Sequence, residues 1–265
     1  DVEPDPFVLN AWKNPVSVEK GLACLKAWQK VWDGPVFSYE YHFWRAQFRD
    51  PGLMIVSRRI YEDIRSLKTM GLDGYVEDGS QRSFFPNGLA MSVYAETLMD
   101  RNSDFHALCD DYFCHAYGSA GPQARAYLQK VSDTFDFSFV SGEKTTDPKR
   151  GDHYDPDRAE VLAQVKKLAE VGRRIVEENR VMPLRCQTLS MRLLLRHAEY
   201  IEGMAAFLKE KALGHDAEAL QKLDEFRIRF GQYEVELERY FDHFIAFRAF
   251  KMLIDKPVVM LEEGT

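Results

Sequence analysis

Apolar and polar residues are ordered along the first part of the chain in a way that predicts helix, strand, helix and strand. In the first predicted helix, apolar residues recur every three or four positions, at Val18, Leu22, Leu25, Trp28 and Trp32. Two apolar-aromatic runs follow at residues 36–43 and 72–79, and such runs are typical of strands. The segment between them predicts a second helix with one apolar face, made by Val56, Ile60, Ile64 and Leu67.

The connections between these predicted elements are short, which favours a parallel sheet covered by helices. Gly71 follows the second predicted helix directly, and glycine commonly ends helices because it adopts a positive φ without strain. Parallel strands joined by one helix usually lie side by side through a right-handed crossover. We therefore expect the C-terminal ends of both strands at one edge of the sheet, where α/β folds build their sites.

The rest of the chain is predicted to be helical, with helices at residues 89–118, split at 100–103, and at 122–135. Residues 138–156 have no periodicity and predict a loop or linker. We expect a partial (β/α)-barrel-like segment at 1–137, this linker, and a helical bundle at 157–265. The predicted fold class is thus mainly α with a small parallel β component.

The most regular pattern in the predicted bundle runs from Asp216 to about Leu253 and predicts one long helix. Apolar and aromatic residues recur there in steps of three and four, at Leu223, Phe226, Phe230, Tyr233, Leu237, Tyr240, Phe244 and Phe247. Large aromatic residues at these positions favour an intramolecular bundle over a two-stranded coiled coil.

Composition and charge exclude several classes of function. The net charge of -7 and the pI of about 5.6 leave no basic surplus for binding a nucleic-acid backbone. No apolar run approaches the roughly 20 residues of a membrane span. The four cysteines lack metal-site spacing, and no glycine-rich nucleotide loop is present. The sequence therefore predicts no metal and no cofactor.

The first predicted strand carries a candidate catalytic residue, Glu40. Strict alternation would place Glu40 and His42 on one face with Ser38, and the aromatic residues on the other, at Phe37, Tyr39, Tyr41 and Phe43. Glu and His inside a strand are costly unless they are paired or line a cavity. One interpretation is that the Glu40 carboxylate faces a substrate, which His42 and Tyr41 bind beside it. The other is a salt-bridged Glu40 and a hydrogen-bonded His42 in the core.

The end of the second predicted strand adds Glu77 and Asp78, followed by a turn that carries Arg82 and Phe84. Carboxylates bind sugar hydroxyls, Arg anchors anionic groups, and aromatic rings stack on sugar rings. Two carboxylates that flank one glycosidic bond serve as acid and as base or nucleophile. The alternative is an Asp–Gly turn in a solvated loop.

These segments resemble the bacterial domain-of-unknown-function 4838 family, whose members are similar to glycoside hydrolases. The resemblance rests on spaced patterns at residues 35–42, 61–65, 71–80, 98–100 and 111–118, and it extends from about Asn10 into the C-terminal helices. It implies that the chain comprises the last strands of a (β/α) barrel followed by a helical domain. The family offers no agreed catalytic residues to transfer.

The function expected from the sequence is that of part of a glycoside hydrolase acting on an oligo- or polysaccharide. Glu40, Glu77 and Asp78 are the catalytic candidates, and Tyr41, His42, Arg82 and Phe84 the substrate-binding candidates. Two strands cannot close an eight-stranded barrel, so we expect the missing strands to precede residue 1 and this chain alone to be inactive. A non-catalytic carbohydrate-binding or scaffold module that packs on a partner domain is the alternative, and the compartment stays open.

Overall fold

The computed structural model describes residues 18–79 and 82–255, which are mainly helical. The sequence also predicts Ser17 as the N-cap of the first helix, and Ser17 lies outside the described residues. None of the described helices is both long and apolar enough to cross a membrane. The α-helices are α1 Val18–Gln29, α2 Met54–Ser66, α3 Leu89–Met99, α4 Phe105–Tyr117, α5 Gly121–Phe135, α6 Phe137–Val140, α7 Pro156–Ala163, α8 Val165–Glu178, α9 Arg185–Ala212, α10 Asp216–Gly231, α11 Glu234–Leu237 and α12 His243–Ile254.

The sheet of the described residues has two parallel strands, β1 Phe37–Glu40 and β2 Gly74–Glu77. Helix α2 connects them, so the predicted order of helix, strand, helix and strand is confirmed. The predicted fold class, mainly α with a small parallel β component, is confirmed at this level. Gly71 has a φ of 71° at the end of the helical segment before β2, which is the left-handed conformation expected for a glycine cap.

Helix α2 begins at a buried carboxylate. Both Ile55 and Val56 donate their backbone N–H groups to Oδ2 of Asp50, at 2.7 and 2.9 Å, and the Ser132 hydroxyl donates to Oδ1. Asp50 therefore satisfies free amides at the start of α2 and joins this end of the helix to α5, which carries Ser132. The packing fixes α2 between the sheet and the helices that follow.

A large hydrophobic core lies among the helices from α2 to α12. At its centre aromatic rings pack edge to face or tilted, with centroids 4.8 to 6.2 Å apart in the pairs formed by Phe85, Tyr200, Phe226, Phe230, Phe241, Phe247 and Phe250. Such geometry adds to the stabilisation from burial alone. The high aromatic content of 13% is thus mainly a feature of this core.

Helices on both sides of residues 138–156 contribute to the large core. Within that segment Phe139 and Val140 are buried, and the buried His153 ring lies 3.0 Å from the carbonyl oxygen of Val140. The division into residues 1–137, 138–156 and 157–265 stays a prediction about domain organisation. The structure adds that the two outer parts share buried contacts.

The prediction of a single long helix from Asp216 to about Leu253 is wrong. The chain forms α10, α11 and α12 instead, because the helical bonds end near Gly231 and a new helix begins where Asp242 accepts a hydrogen bond from the Ile245 amide at 3.0 Å. The breaks allow α12 to fold back against α10. Phe244, predicted on the buried seam, is 69% exposed.

Candidate functional site

The register of the two strands places Glu40 directly beside Glu77, and Ser38 beside Tyr75. Paired residues of neighbouring strands project from the same side of a sheet. On this side Tyr75 packs into the small core formed with α2, so we call it the helix-facing side. Its polar residues are half-buried, and the hydroxyl of Ser38 donates a hydrogen bond to the carboxylate of Glu40.

The opposite side of the sheet is apolar and exposed. Phe37, Tyr39 and Val76 are 58%, 56% and 49% exposed, which reverses the usual arrangement in which a sheet buries its apolar side. The predicted alternation fails at Phe43, which is only 4% exposed and packs in the small core. The physical reason is that β1 ends at Glu40 and the chain then turns, so the period of two no longer applies.

His42 lies between two carboxylates. Its Nδ1 is 2.8 Å from Oε2 of Glu77, and its Nε2 is 3.1 Å from Oδ2 of Asp63 on α2. The other carboxylate oxygen of Glu77 accepts a hydrogen bond from the backbone N–H of Phe43 at 3.4 Å. These bonds close the turn after β1 onto the end of β2 and onto α2. We call Asp63, His42 and Glu77 the histidine cluster.

Electrostatics within the histidine cluster favour a charged imidazolium. Burial alone would lower the pKa of His42, but the hydrogen bonds from its ring to Asp63 and Glu77 outweigh burial and raise the pKa to about 9. His42 and Glu77 are shielded, with side chains 12% and 14% exposed. The cluster therefore holds a positive charge between two negative charges at neutral pH.

Asp78 lies apart from the histidine cluster and contacts the exposed aromatic side. The Tyr39 hydroxyl donates to Oδ2 of Asp78 at 3.1 Å, and the rings of Tyr39 and Tyr41 are tilted, with centroids 5.3 Å apart. All three side chains are exposed. We call Tyr39, Tyr41 and Asp78 the tyrosine–aspartate surface. Two of the predicted site residues, Tyr41 and Asp78, thus come together with Tyr39, which the sequence did not single out.

Arg82 and Phe84 lie in other surroundings. Arg82 lines a groove with Trp44, Arg45 and residues of α12. Phe84 donates its backbone N–H to the carbonyl of Tyr240 at 3.0 Å, and its ring lines a second groove between helices. The turn that carries both residues is therefore drawn toward the C-terminal helices, and the grooves that Arg82 and Phe84 line include neither Glu40 nor Glu77.

Asp63, like Tyr39, belongs to this region although the sequence did not single it out. It follows Ile60 by three positions on α2, at the border of the apolar face that covers the sheet. From that border its carboxylate reaches the ring of His42 just beyond the end of β1. The available signal was the combination of this helix position with His42 just after the preceding strand.

No protein family model, no curated protein and no solved structure matches this chain. The geometry of the two strand ends therefore has to carry any functional inference. In residues 18–79 and 82–255, no group of three or more His, Cys, Asp or Glu side chains is arranged to hold a metal ion. The histidine cluster and the tyrosine–aspartate surface provide carboxylates, an imidazolium and exposed aromatic rings.

Proposed function

We propose that the chain is part of a carbohydrate-active protein, and that sugar binds at the ends of β1 and β2. The observation that supports this best is the tyrosine–aspartate surface, where two exposed rings adjoin an exposed carboxylate. Aromatic rings offer apolar faces to a sugar ring, and a carboxylate accepts hydrogen bonds from neighbouring hydroxyls. Asp78 has a second oxygen beyond the one that Tyr39 engages.

The leading form of this proposal is a glycoside hydrolase with carboxylates from both strands. Glu40 and Glu77 stand at paired positions of the two neighbouring strands, and a glycoside hydrolase requires two carboxylates that flank one glycosidic bond. Asp78 is the most exposed carboxylate of the three. In this proposal the main role of His42 is to hold and orient Glu77, and its contact with the sugar is secondary.

We also propose that β1 and β2 belong to a larger (β/α) barrel, as the resemblance to the domain-of-unknown-function 4838 family implies. Two features of the described residues support this. The strands are parallel and joined by a helix that covers one side. The other side, which would line a barrel interior, exposes Phe37, Tyr39 and Val76. Additional strands are the partner that this part of the proposal requires.

Carbohydrate binding is tested with a glycan array and a panel of aryl glycosides, using the longest natural form of the protein. We expect Tyr41→Ala and Asp78→Asn to weaken sugar binding by about tenfold each, the effect of losing one good contact. Phe244→Ala and Glu238→Gln, which remove an exposed ring and an exposed carboxylate elsewhere, serve as matched controls. Sugar binding that the first pair retains would contradict the proposed surface.

Hydrolysis is tested separately with Glu40→Gln, Glu77→Gln and Asp78→Asn. If the enzyme proposal holds, at least one of these variants loses about 10²-fold or more in kcat, with its fold intact by circular dichroism. Turnover that all three variants retain would refute the catalytic assignment while leaving the sugar-binding test unaffected.

A non-catalytic carbohydrate-binding module is the second candidate. One observation favours it. Glu40 and Glu77 are half-buried on the helix-facing side and already hydrogen-bonded to Ser38 and His42. The exposed tyrosine–aspartate surface, in contrast, offers two aromatic rings and only one carboxylate. This candidate predicts glycan binding without turnover of any glycoside by the natural full-length protein.

A further inference from the structure

A groove of about 640 Å³ lies between α3, α4, α9 and the turn before α12. Its walls are mainly apolar, with Phe84, Met91, Leu189 and Leu193 among the residues that line it. This volume falls in the range of small-molecule sites, which are concave, mostly apolar and equipped with a few polar groups. We call it the α3–α9 groove. It contains neither the tyrosine–aspartate surface nor the histidine cluster.

Tyr112 offers one polar group to the α3–α9 groove. Its hydroxyl oxygen accepts a hydrogen bond from the backbone N–H of Gly88 at 2.6 Å, and no residue of the described chain accepts the hydroxyl proton in return. Burial raises the pKa of Tyr112 to about 12, although the bond from Gly88 lowers it in part. The hydroxyl therefore keeps its proton at neutral pH and is a donor without an acceptor.

Arg239 offers a second donor at the groove. It lines the groove, and within residues 18–79 and 82–255 its guanidinium forms no ion pair or hydrogen bond with another side chain. It is also the one charged residue among those that line the groove. Apolar walls with two donors, one of them cationic, are complementary to a molecule that is apolar over most of its length and carries an anionic group.

We propose that the α3–α9 groove binds a small apolar carboxylate, with its carboxylate at Arg239 and Tyr112 and its hydrocarbon part against Met91, Leu189 and Leu193. This site is independent of the proposed sugar site, and its ligand is of a different chemical class. Cys186, an exposed free cysteine that lines the same groove, provides a reporter of occupancy because a bound molecule would shield its thiol.

The test measures the rate at which iodoacetamide alkylates individual cysteines of the full chain, followed by mass spectrometry. Decanoate, below its micelle concentration, is the probe, and decanol is the neutral probe of equal chain length. Cys114, also exposed but outside the groove, is the internal control. We expect saturating decanoate to slow the alkylation of Cys186 by about tenfold and to leave Cys114 unchanged.

Two variants separate a specific site from general adsorption. Arg239→Met removes the charge and the hydrogen-bond donors but keeps an unbranched apolar stem. We therefore expect the decanoate concentration that gives half-maximal protection to rise about tenfold, the effect of losing one hydrogen bond to a charged group. Arg192→Met removes an exposed arginine of α9 outside the groove and should leave protection unchanged. The proposal would be overturned if decanoate protected both cysteines equally or did not protect Cys186. It would also be overturned if decanol protected Cys186 as well as decanoate does, or if decanoate protected Cys186 equally in Arg239→Met and in the wild type.

Discussion

His42 connects the two strands to α2 through charge, and this makes part of the fold sensitive to pH. Its pKa is raised from the ordinary 6.5 to about 9, because its hydrogen bonds to Asp63 and Glu77 outweigh burial. A histidine whose pKa is higher in the folded state stabilises the fold fully below its unfolded pKa. That contribution is lost as the pH rises from about 6.5 through about 9, and it amounts to at most about 3 kcal/mol.

We therefore expect the free energy of unfolding to fall between pH 6.5 and pH 9 in the wild type, and to depend much less on pH in His42→Gln. An NMR titration of the His42 ring should give a midpoint near 9, which Asp63→Asn and Glu77→Gln each lower. His197 is the internal control, since burial lowers its pKa to about 3 and its signal should not shift above pH 5. A His42 midpoint near the ordinary 6.5 would show that the cluster does not form.

The sequence predicts individual residues well only where local spacing decides their position. Glu40 and Glu77 were expected at neighbouring strand ends, and their pairing follows from the strand register. The contact between His42 and Asp63 joins residues 21 positions apart, and its formation depends on how α2 packs over the sheet. The separation of Arg82 from the strand ends has the same origin, because the bridge between Ser83 and Phe241 joins distant parts of the chain.

At the scale of elements, periodicity located most helices correctly and failed where a helix had to stop. The steps of three and four between Asp216 and Leu253 continue across two breaks. A straight helix of that length would extend about 57 Å at 1.5 Å per residue, beyond the helices it could pack against. The observed breaks let Phe247 of α12 pack on Phe226 of α10, with centroids 4.8 Å apart. The apolar contacts that α12 gains by folding back on α10 decide where the helix breaks, and residue spacing alone does not reveal these contacts.

The packing of α9 on α10 gives a prediction at Gly203. A Cβ at this position would overlap the ring of Phe226, which is itself buried among other aromatic rings. Gly203→Ala should therefore destabilise the fold by about 1–3 kcal/mol through overpacking, although alanine favours helices by up to about 1 kcal/mol. Thermal or urea unfolding measures the change.

Gly231→Ala is the matched control for that prediction. A Cβ at Gly231, at the end of α10, would meet only the ring of His243 at an ordinary 3.6 Å. We expect Gly231→Ala to be neutral or slightly stabilising. Equal effects of the two substitutions would mean that α9 and α10 are not as closely packed as described.

Across the molecule, the apolar core of residues 18–79 and 82–255 falls into two clusters of unequal size. The large core joins the helices from α2 to α12, and the small core lies between α2, the sheet and part of α3. Helices α2 and α3 belong to both clusters. Tyr61 and Leu89 pack in the large core, whereas Ile60 and Ala90 pack in the small one. The sequence predicted both groups of elements, but not that these helices would join them.

The small core supports a sheet of only two short strands. Each strand has four residues, and two strands are seldom stable without further support. Here that support comes from α2 on one side, while the other side stays exposed. Local stability should therefore differ between the sheet and the large core.

Hydrogen exchange tests this difference and the larger sheet proposed above. In a protein of residues 1–265 alone, the amides of Asp73 and Asp78, which donate to the carbonyls of Val36 and Glu40 at 2.8 and 2.9 Å, should exchange about 100-fold faster than amides in the middle of α9. That ratio corresponds to a local opening free energy lower by about 3 kcal/mol. In a longer natural form that supplies neighbouring strands, the same amides should become as slow as those of α9. Slow exchange already in residues 1–265 would mean that two strands and α2 suffice, and it would remove the need for the barrel.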